Sequence, residues 1–341
     1  MSSWGRLAEL DVELEDVRLE RASTEVSSGF TRVTTTVVLS GAGEEGRGED
    51  VSYDPQDHDW FPPIRARGSF ALAELSAYLD RMALFPADGP RWHASIDYRR
   101  YAIESAALDL ALRQEKVSLG AALGREYRPV RFVVSTRLDP RLWLAVDPDI
   151  ELKLDPTSEW DADLMRSFAA TDRVRCLDFK AYYEGTQVDQ APDPALYRSA
   201  ARLFPDAILE DPALTPETLA ALDGAESRLS FDAPIHSLAD VEALPVAIRW
   251  LNVKPSRFGP LARLFECIDA CEERGIRMYG GGQFELGYGR GQIQALASLF
   301  YADGPNDVAP ADYNAPEPAA GLPRSPLEPP ERPAGFSWAP E

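Results

Sequence analysis

Residues 207–255, AILEDPALTPETLAALDGAESRLSFDAPIHSLADVEALPVAIRWLNVKP, contain three short apolar runs separated by segments with helical spacing. Strands that alternate with helices in this way pair in parallel, because each helix returns the chain to the same end of the sheet. The three runs end at Glu210, Asp232 and Lys254. The stretch therefore predicts successive strand–helix units with polar side chains at the carboxyl ends of the strands.

The same alternation extends in both directions. Three further runs precede this stretch and one follows it, and they are RFVVSTRL, IELKL, VRCLDFK and IRMYG. With a weak eighth run near residues 307–310, the pattern predicts a (β/α)7β-type TIM barrel over residues 129–309. The carboxyl ends of the strands form the active face of such a barrel.

Residues 1–128 predict a different, α+β domain. Alternating residues in DVELEDVRLERAS and the β-branched GFTRVTTTVVLSGAGEEGRGEDVSY indicate antiparallel strands, and the segments 69–85 and 98–124 indicate helices. Ten of the 28 prolines lie between residues 305 and 341, which excludes helices and central strands there. Phe336 and Trp338 favour an extended arm that is docked on the body.

Composition limits the possible partners. Of the 341 residues, 35 are Lys or Arg and 56 are Asp or Glu, which gives a formal charge of −21. Such a surface argues against nucleic acid and anionic membranes as partners. The three cysteines do not suggest a disulfide framework. Because neither an apolar signal segment nor a membrane-spanning run is present, we expect a cytoplasmic protein.

Five charged residues follow the strand ends in order: Lys153, Asp178, Glu210, Asp232 and Lys254. The spacing between neighbours is about one strand–helix unit, so the five predict five successive strands, the second to the sixth of eight. The three carboxylates would converge and repel one another unless a divalent cation lay between them. Oxygen ligands with room for water and substrate favour Mg²⁺, and Mn²⁺ can substitute for it.

The two lysines would face each other, because the second and sixth strands are opposite in a ring of eight. This arrangement suits removal of the proton next to the carboxylate of a small carboxylic acid. Mg²⁺ stabilises the enediolate that forms, and a neutral lysine takes the proton. Return of a proton by the second lysine gives racemisation or epimerisation, and departure of a β-group gives elimination or cycloisomerisation.

At these residues the sequence resembles the enolase superfamily, in particular the branch of muconate lactonising enzymes, o-succinylbenzoate synthases and dipeptide epimerases. The resemblance rests on IELKL, LDFK, ILEDP, LSFDAP, LNVKPSRFGPL and YGGGQFELGYGRGQIQALASL, and the family itself is a known user of a lysine base with Mg²⁺. It implies a lyase or isomerase with a cap, residues 1–128, that is completed by an arm, residues 310–341. It also implies a homo-oligomer and cap loops around residues 27–31 and 53–60 that close over the substrate.

Three positions depart from the family pattern. Glu151 replaces the first lysine of the second-strand motif and should raise the pKa of Lys153. Lys180 replaces an asparagine and places an extra cation near the metal, where an anionic substrate group could bind it. Ala233 replaces an acid. We take Lys180, Phe30 of the first cap loop and Glu285 after the seventh strand as candidate substrate contacts.

Two other classes of function remain open. A lysine at a barrel strand end can also form a Schiff base, so Lys254 could serve a different kind of lyase, although three aligned acids argue against it. The altered second-strand motif also leaves open a non-catalytic scaffold that binds a ligand or partner.

Overall fold

The computed structural model describes residues 1–186, 188–331, 334–336 and 338. Its amino-terminal elements are, in chain order, α1 (Ser3–Leu7), β1 (Asp11–Leu14), β2 (Asp16–Glu25), β3 (Thr31–Gly41), β4 (Glu44–Asp50), β5 (Gly68–Ala71), α2 (Leu72–Leu79), α3 (Ser95–Gln114) and α4 (Leu119–Leu123). Strands β2, β3 and β4 form an antiparallel meander, and β1 pairs with β5. This part of the chain is the predicted mixture of antiparallel strands and helices, and we call it the cap.

The predicted helix over 98–124 is two helices. Helix α3 ends at Gln114, and Lys116 takes a left-handed conformation with φ of 58°. The Ser118 side chain then accepts the amide of Ala121 at 3.2 Å and starts α4. Residues 113–116, Arg-Gln-Glu-Lys, are all strong helix formers, so residue type alone could not reveal the change of direction.

Helix α3 packs directly on strand β4. A Cβ atom at Gly46 would lie 2.2 Å from the Leu110 nitrogen, and one at Gly48 would lie 2.1 Å from the Ala102 oxygen. Both distances are shorter than van der Waals contact, so only glycine permits this approach. The contact fixes β4, which carries Glu49 towards the barrel.

The remaining elements alternate as the sequence predicts. They are β6 (Val134–Thr136), α5 (Pro140–Val146), β7 (Leu152–Leu154), α6 (Ala162–Ala169), β8 (Val174–Asp178), α7 (Pro194–Leu203), β9 (Ile208–Glu210), α8 (Pro216–Ala221), β10 (Leu229–Ser230), α9 (Leu238–Ala243), β11 (Trp250–Val253), α10 (Leu261–Glu273), β12 (Arg277–Gly280) and α11 (Tyr288–Phe300). Strands β6 to β10 form one parallel sheet, and β11 and β12 form another.

Short links close these sheets into a barrel. The amide of Asn252 on β11 donates to the carbonyl of Phe231 after β10 at 3.2 Å. The eighth strand of the barrel is reduced to two isolated parallel β-bridges. Asp307 pairs with Gly281 after β12, and Asn306 pairs with Phe132 before β6. The architecture is thus a (β/α)7β-type barrel with a very short last strand. No helix within the described ranges is long and apolar enough to cross a membrane.

A buried carboxylate joins the cap to the barrel. Glu49 on β4 accepts the amides of Leu286, Gly287 and Gly289 at 2.6, 3.1 and 2.9 Å. These amides lie at the start of α11, where unpaired N–H groups and the helix dipole favour an anion. Burial nevertheless raises the pKa of Glu49, and the charge of Glu285 adds to the rise.

The proline-rich segment contacts both parts of the molecule. Leu327 and Val130 exchange two backbone hydrogen bonds of 2.8 Å beside the barrel, and the Gly335 carbonyl accepts the Leu119 amide of the cap at 2.9 Å. The division at residues 128/129 and the assignment of 310–341 to the cap stay predictions. Of the predicted arm, residues 332, 333, 337 and 339–341 lie outside the described residues.

Phe336 anchors this arm, and we expect Phe336→Ala to lower the free energy of unfolding by about 3 kcal/mol. The ring is fully buried, and the backbone amide donates to Asp109 Oδ1 at 2.8 Å. Denaturant unfolding measures the loss. Glu328→Ala, on an exposed residue of the same arm, is the control and should change stability by less than about 0.5 kcal/mol. Equal stability of the two variants would contradict the docked arm.

Candidate active site

The structure brings the five predicted strand-end residues to one end of the barrel. Lys153 lies in β7, Asp178 and Glu210 end β8 and β9, and Asp232 and Lys254 follow β10 and β11 within two residues. Asp178 and Glu210 are direct partners in the parallel register. All five side chains are buried, so their charges must be offset by neighbouring protein groups or by a bound group.

Glu210 is held at both carboxylate oxygens. Lys153 Nζ and Asn252 Nδ2 donate to Oε1 at 2.6 and 3.1 Å. Tyr279 OH donates to Oε2 at 2.6 Å, and Cys176 Sγ lies 3.3 Å from the same oxygen. The carboxylate is therefore fixed in orientation.

Asp178 contacts two ammonium groups. Lys180 forms an ion pair with Oδ2, and Lys153 Nζ lies 3.3 Å from the same oxygen. Burial alone would raise the pKa of Asp178, but the charges of Lys180 and Lys153 hold it below its ordinary value. The carboxylate stays ionised, as a metal ligand must be.

Asp232 faces the opposite lysine. Lys254 Nζ lies 2.7 Å from Oδ2, Arg257 Nε lies 3.0 Å from Oδ1, and Tyr183 OH donates to Oδ2 at 3.2 Å. Burial would raise the pKa of Asp232, but Arg257 and Lys254 lower it overall. Oδ1 accepts no hydrogen bond within the described part of the chain, and the Arg257 guanidinium is its ion-pair partner.

Asp211 is a fourth acid that the sequence analysis did not select. Oxygens of Asp178, Glu210 and Asp211 lie within 4.8 Å of one another, a grouping that could hold a metal ion. Both Asp211 oxygens, however, accept backbone amides, from Asp232 at 2.8 Å and Ala233 at 3.0 Å. The ILEDP motif contains Asp211, but the sequence does not show that its side chain accepts amides at the end of the neighbouring strand β10.

The set of donors fits a hard divalent cation. Oxygens of Asp178, Glu210 and Asp211 lie within 4.8 Å of one another, and the ammonium groups of three lysines and the guanidinium of Arg257 offset the charges of Asp178, Glu210 and Asp232. Oxygen-rich sites of this kind suit Mg²⁺.

Glu151 is not what raises the pKa of Lys153. It precedes β7 and pairs with Arg131 at 2.5 Å and with Arg175 at 2.6 Å. Burial would lower the pKa of Lys153, but Glu210, Asp178 and Asp307 raise it well above its ordinary value. The substituted acid therefore belongs to a separate ion-pair cluster below the site.

We expect Glu151→Lys, which restores the family's lysine, to destabilise this chain by about 3 kcal/mol. It would place a third cation against Arg131 and Arg175, which are already half-buried. Glu151→Gln is the isosteric control and should cost about 1 kcal/mol, because the amide oxygen still accepts one hydrogen bond. Thermal unfolding of both variants measures the difference. A Glu151→Lys variant as stable as wild type would contradict the ion-pair assignment.

The three candidate substrate contacts occupy different places. Lys180 lies in the cluster, paired with Asp178. Phe30 lies on the cap with its ring 5.7 Å from that of Phe284 in the loop after β12. Glu285 is buried, accepts the Gln283 amide at 2.8 Å and lies 3.4 Å from Arg290. Their roles towards a substrate stay predictions.

A cavity of about 370 Å³ adjoins the cluster at the ends of β6 and β7. Its lining combines apolar side chains such as Trp160 and Phe168 with Arg137 and Asp155. Asp155 lies 3.8 Å from Lys180 Nζ. Asp155 therefore both lines the cavity and contacts the charged cluster.

Known proteins with similar sequences are enzymes. An o-succinylbenzoate synthase from Geobacillus kaustophilus is 24% identical over 89% of this chain and 86% of its own length. An N-succinylamino acid racemase from Amycolatopsis sp is 29% identical over 63% of this chain and 59% of its own length. These relatives confirm the predicted enzyme class, a lyase or isomerase of the enolase superfamily.

Solved structures support the same fold. A dipeptide epimerase from Methylococcus capsulatus, complexed with Mg and the dipeptide L-Arg-D-Lys, superposes with a TM-score of 0.66 at 16% identity. The superposition covers 95% of this chain and 99% of the epimerase chain. The predicted capped barrel is thereby confirmed.

The family comparison covers both parts of the chain. Residues 5–122 match the N-terminal domain, and residues 126–315 the C-terminal domain, of a family described as a domain of unknown function, DUF8230. The chain therefore belongs to the DUF8230 family, whose fold in this member is that of the enolase superfamily.

Proposed function

We propose that the chain binds a divalent metal and abstracts the proton next to the carboxylate of a small carboxylic acid. The product arises by elimination or cycloisomerisation, or by racemisation or epimerisation. The observation that carries the proposal is the arrangement of two buried lysines on different sides of an acid cluster. Lys153 contacts Glu210 and Asp178, and Lys254 contacts Asp232.

The proposed metal ligands are Asp178, Glu210 and Asp232. Asp232 is preferred to Asp211 because its carboxylate accepts no backbone amide in the described structure, whereas both Asp211 oxygens accept one. Asp211 then positions the end of β10. When bound, Mg²⁺ or Mn²⁺ supplies positive charge where negative charge develops on the substrate carboxylate.

The two lysines are the proposed acid–base residues. A lysine accepts a proton at Nζ only as the neutral amine, and burial favours that form. Glu210 and Asp178 hold Lys153 charged in the structure, and their negative charge is partly neutralised when their oxygens coordinate a cation. Lys153 and Lys254 can then act on opposite faces of the α-carbon, or Lys254 can act alone.

Substrate recognition is assigned to the cap and the loops above the barrel. Phe30 on the cap and Phe284 after β12 form a ring contact across this boundary, which supports Phe30 as a lid residue. Lys180 supplies a cation for an anionic group, and Glu285 a buried acid beside the seventh strand. A homo-oligomer in the cytoplasm completes the proposal.

The test is a screen for α-proton exchange in D₂O by NMR. Acid sugars, N-acyl amino acids, dipeptides and lactones are incubated with the protein and 5 mM MgCl₂, about the scale at which weak Mg²⁺ sites fill. We expect deuterium to replace the α-proton in at least one of these four classes of compound. EDTA should abolish this exchange, and added Mg²⁺ should restore it. Exchange that survives EDTA would overturn the metal assignment.

A further inference from the structure

Lys180 is folded back onto its own strand end. It lies two residues after Asp178 and has φ of 54°, in the left-handed region that lysine rarely occupies. Asp178 Oδ1 accepts the Lys180 amide at 3.1 Å, and the Lys180 ammonium pairs with Oδ2 of the same carboxylate. The turn therefore directs this side chain onto a proposed metal ligand.

A second acid lies within reach of the same ammonium. Lys180 Nζ is 3.8 Å from Asp155 Oδ1 and 5.1 Å from the centre of the Tyr183 ring. Asp155 follows β7 and lines the neighbouring cavity, and it is not among the proposed ligands. The ammonium thus has two carboxylate partners, one at the metal position and one beside it.

The Lys180 ammonium and a divalent cation would compete for Asp178 Oδ2. Like charges a few ångströms apart in a buried site repel strongly, because little water screens them. At Lys180 the family pattern has asparagine, which brings no charge. The substitution therefore alters the affinity of this site for metal.

We propose that Lys180 is a built-in competitor of the divalent metal at Asp178, and that metal binding moves its ammonium to Asp155. The inference rests on the proposed function, because it takes Asp178 as a metal ligand. Without metal, Lys180 neutralises the acid cluster. With metal, its charge is retained beside the cavity, where it can meet an anionic group of the substrate.

Titration calorimetry with MgCl₂, without substrate, tests the competition. Lys180→Asn removes the charge and suits the left-handed backbone, so it should bind Mg²⁺ at least about tenfold more tightly than wild type. Lys180→Arg keeps the charge and should not bind more tightly. Lys116→Asn is the matched control, because Lys116 is an exposed lysine with φ of 58°, and it should leave the affinity unchanged.

Thermal unfolding with and without Mg²⁺ separates competition from a merely structural role. Lys180→Asn should lower the melting temperature of the metal-free protein, because Asp178 loses a counter-charge, and should increase the stabilisation that Mg²⁺ provides. Two results would overturn the proposal. One is a lowered melting temperature of the metal-free variant with the same rise on adding Mg²⁺ as in wild type, and the other is an unchanged Mg²⁺ affinity in calorimetry. Tighter metal binding without α-proton exchange on any substrate would uphold it and count against the proposed function instead.

Discussion

Lys254→Ala is expected to slow α-proton exchange by about 10²–10⁴-fold, the usual contribution of a positioned general base. Lys254 follows β11, and its Nζ lies 2.7 Å from Asp232 Oδ2, whereas Lys153 Nζ contacts Glu210 and Asp178. Removing it takes away the base and leaves the carboxylates in place. Exchange measured by NMR in D₂O should therefore fall while Mg²⁺ binding, measured by calorimetry, is retained.

Two further variants sharpen this result. Lys254→Arg keeps the charge beside Asp232, but guanidinium does not deprotonate in proteins, so its exchange should be as slow as that of the alanine variant. Lys116→Ala, far along the chain at the end of α3, should exchange at the wild-type rate. An active Lys254→Arg variant would contradict a role as base and would favour a purely electrostatic one.

Comparison with Lys153→Ala identifies the reaction type. If each variant loses exchange for one configuration at the α-carbon, the two lysines act on opposite faces and the reaction is racemisation or epimerisation. If Lys254→Ala alone loses exchange, one-base elimination or cycloisomerisation follows. Should neither variant lose exchange, both assignments are wrong. Covalent trapping of substrate on Lys254 by borohydride would establish Schiff-base chemistry instead.

The positions of the strands could be predicted because the information is local. Each barrel strand is a short apolar run between helical segments, and charged residues such as Glu210 or Lys254 mark the carboxyl ends of β7 to β11. The residue order alone then assigned neighbouring acids to neighbouring strands. The break between α3 and α4 could not be predicted, because the polar residues 113–116 are all strong helix formers and only the left-handed backbone at Lys116 marks the change of direction.

The surroundings of the strand-end residues were the part that could not be predicted. Tyr279 and Asn252 hold Glu210 from strands far along the chain, and no local pattern connects them. Glu151 could be recognised as a departure from the family, but its partners could not. Arg131 precedes β6 and Arg175 lies in β8. Pairings of this kind depend on the closed barrel and require a structure.

The second prediction concerns which acids bind the metal. Asp232→Asn is expected to weaken Mg²⁺ binding by at least about a hundredfold, because it removes a charged ligand from a buried site. Asp211→Asn should weaken it by about tenfold, the scale of a residue that orients a ligand. Calorimetry without substrate measures both affinities. The two variants are matched, since each replaces one buried Asp by an amide of the same shape.

The order of the two effects decides between two ligand sets. Asp211 accepts the amides of Asp232 and Ala233, so one acceptor position on each of its oxygens is already in use. Asp232 accepts no backbone amide among the described residues, and its oxygens face Lys254 and Arg257. A larger loss in Asp211→Asn would therefore assign the metal to Asp178, Glu210 and Asp211, whose oxygens lie within 4.8 Å of one another. Millimolar-range binding that survives in both variants would favour a scaffold without metal chemistry at these acids.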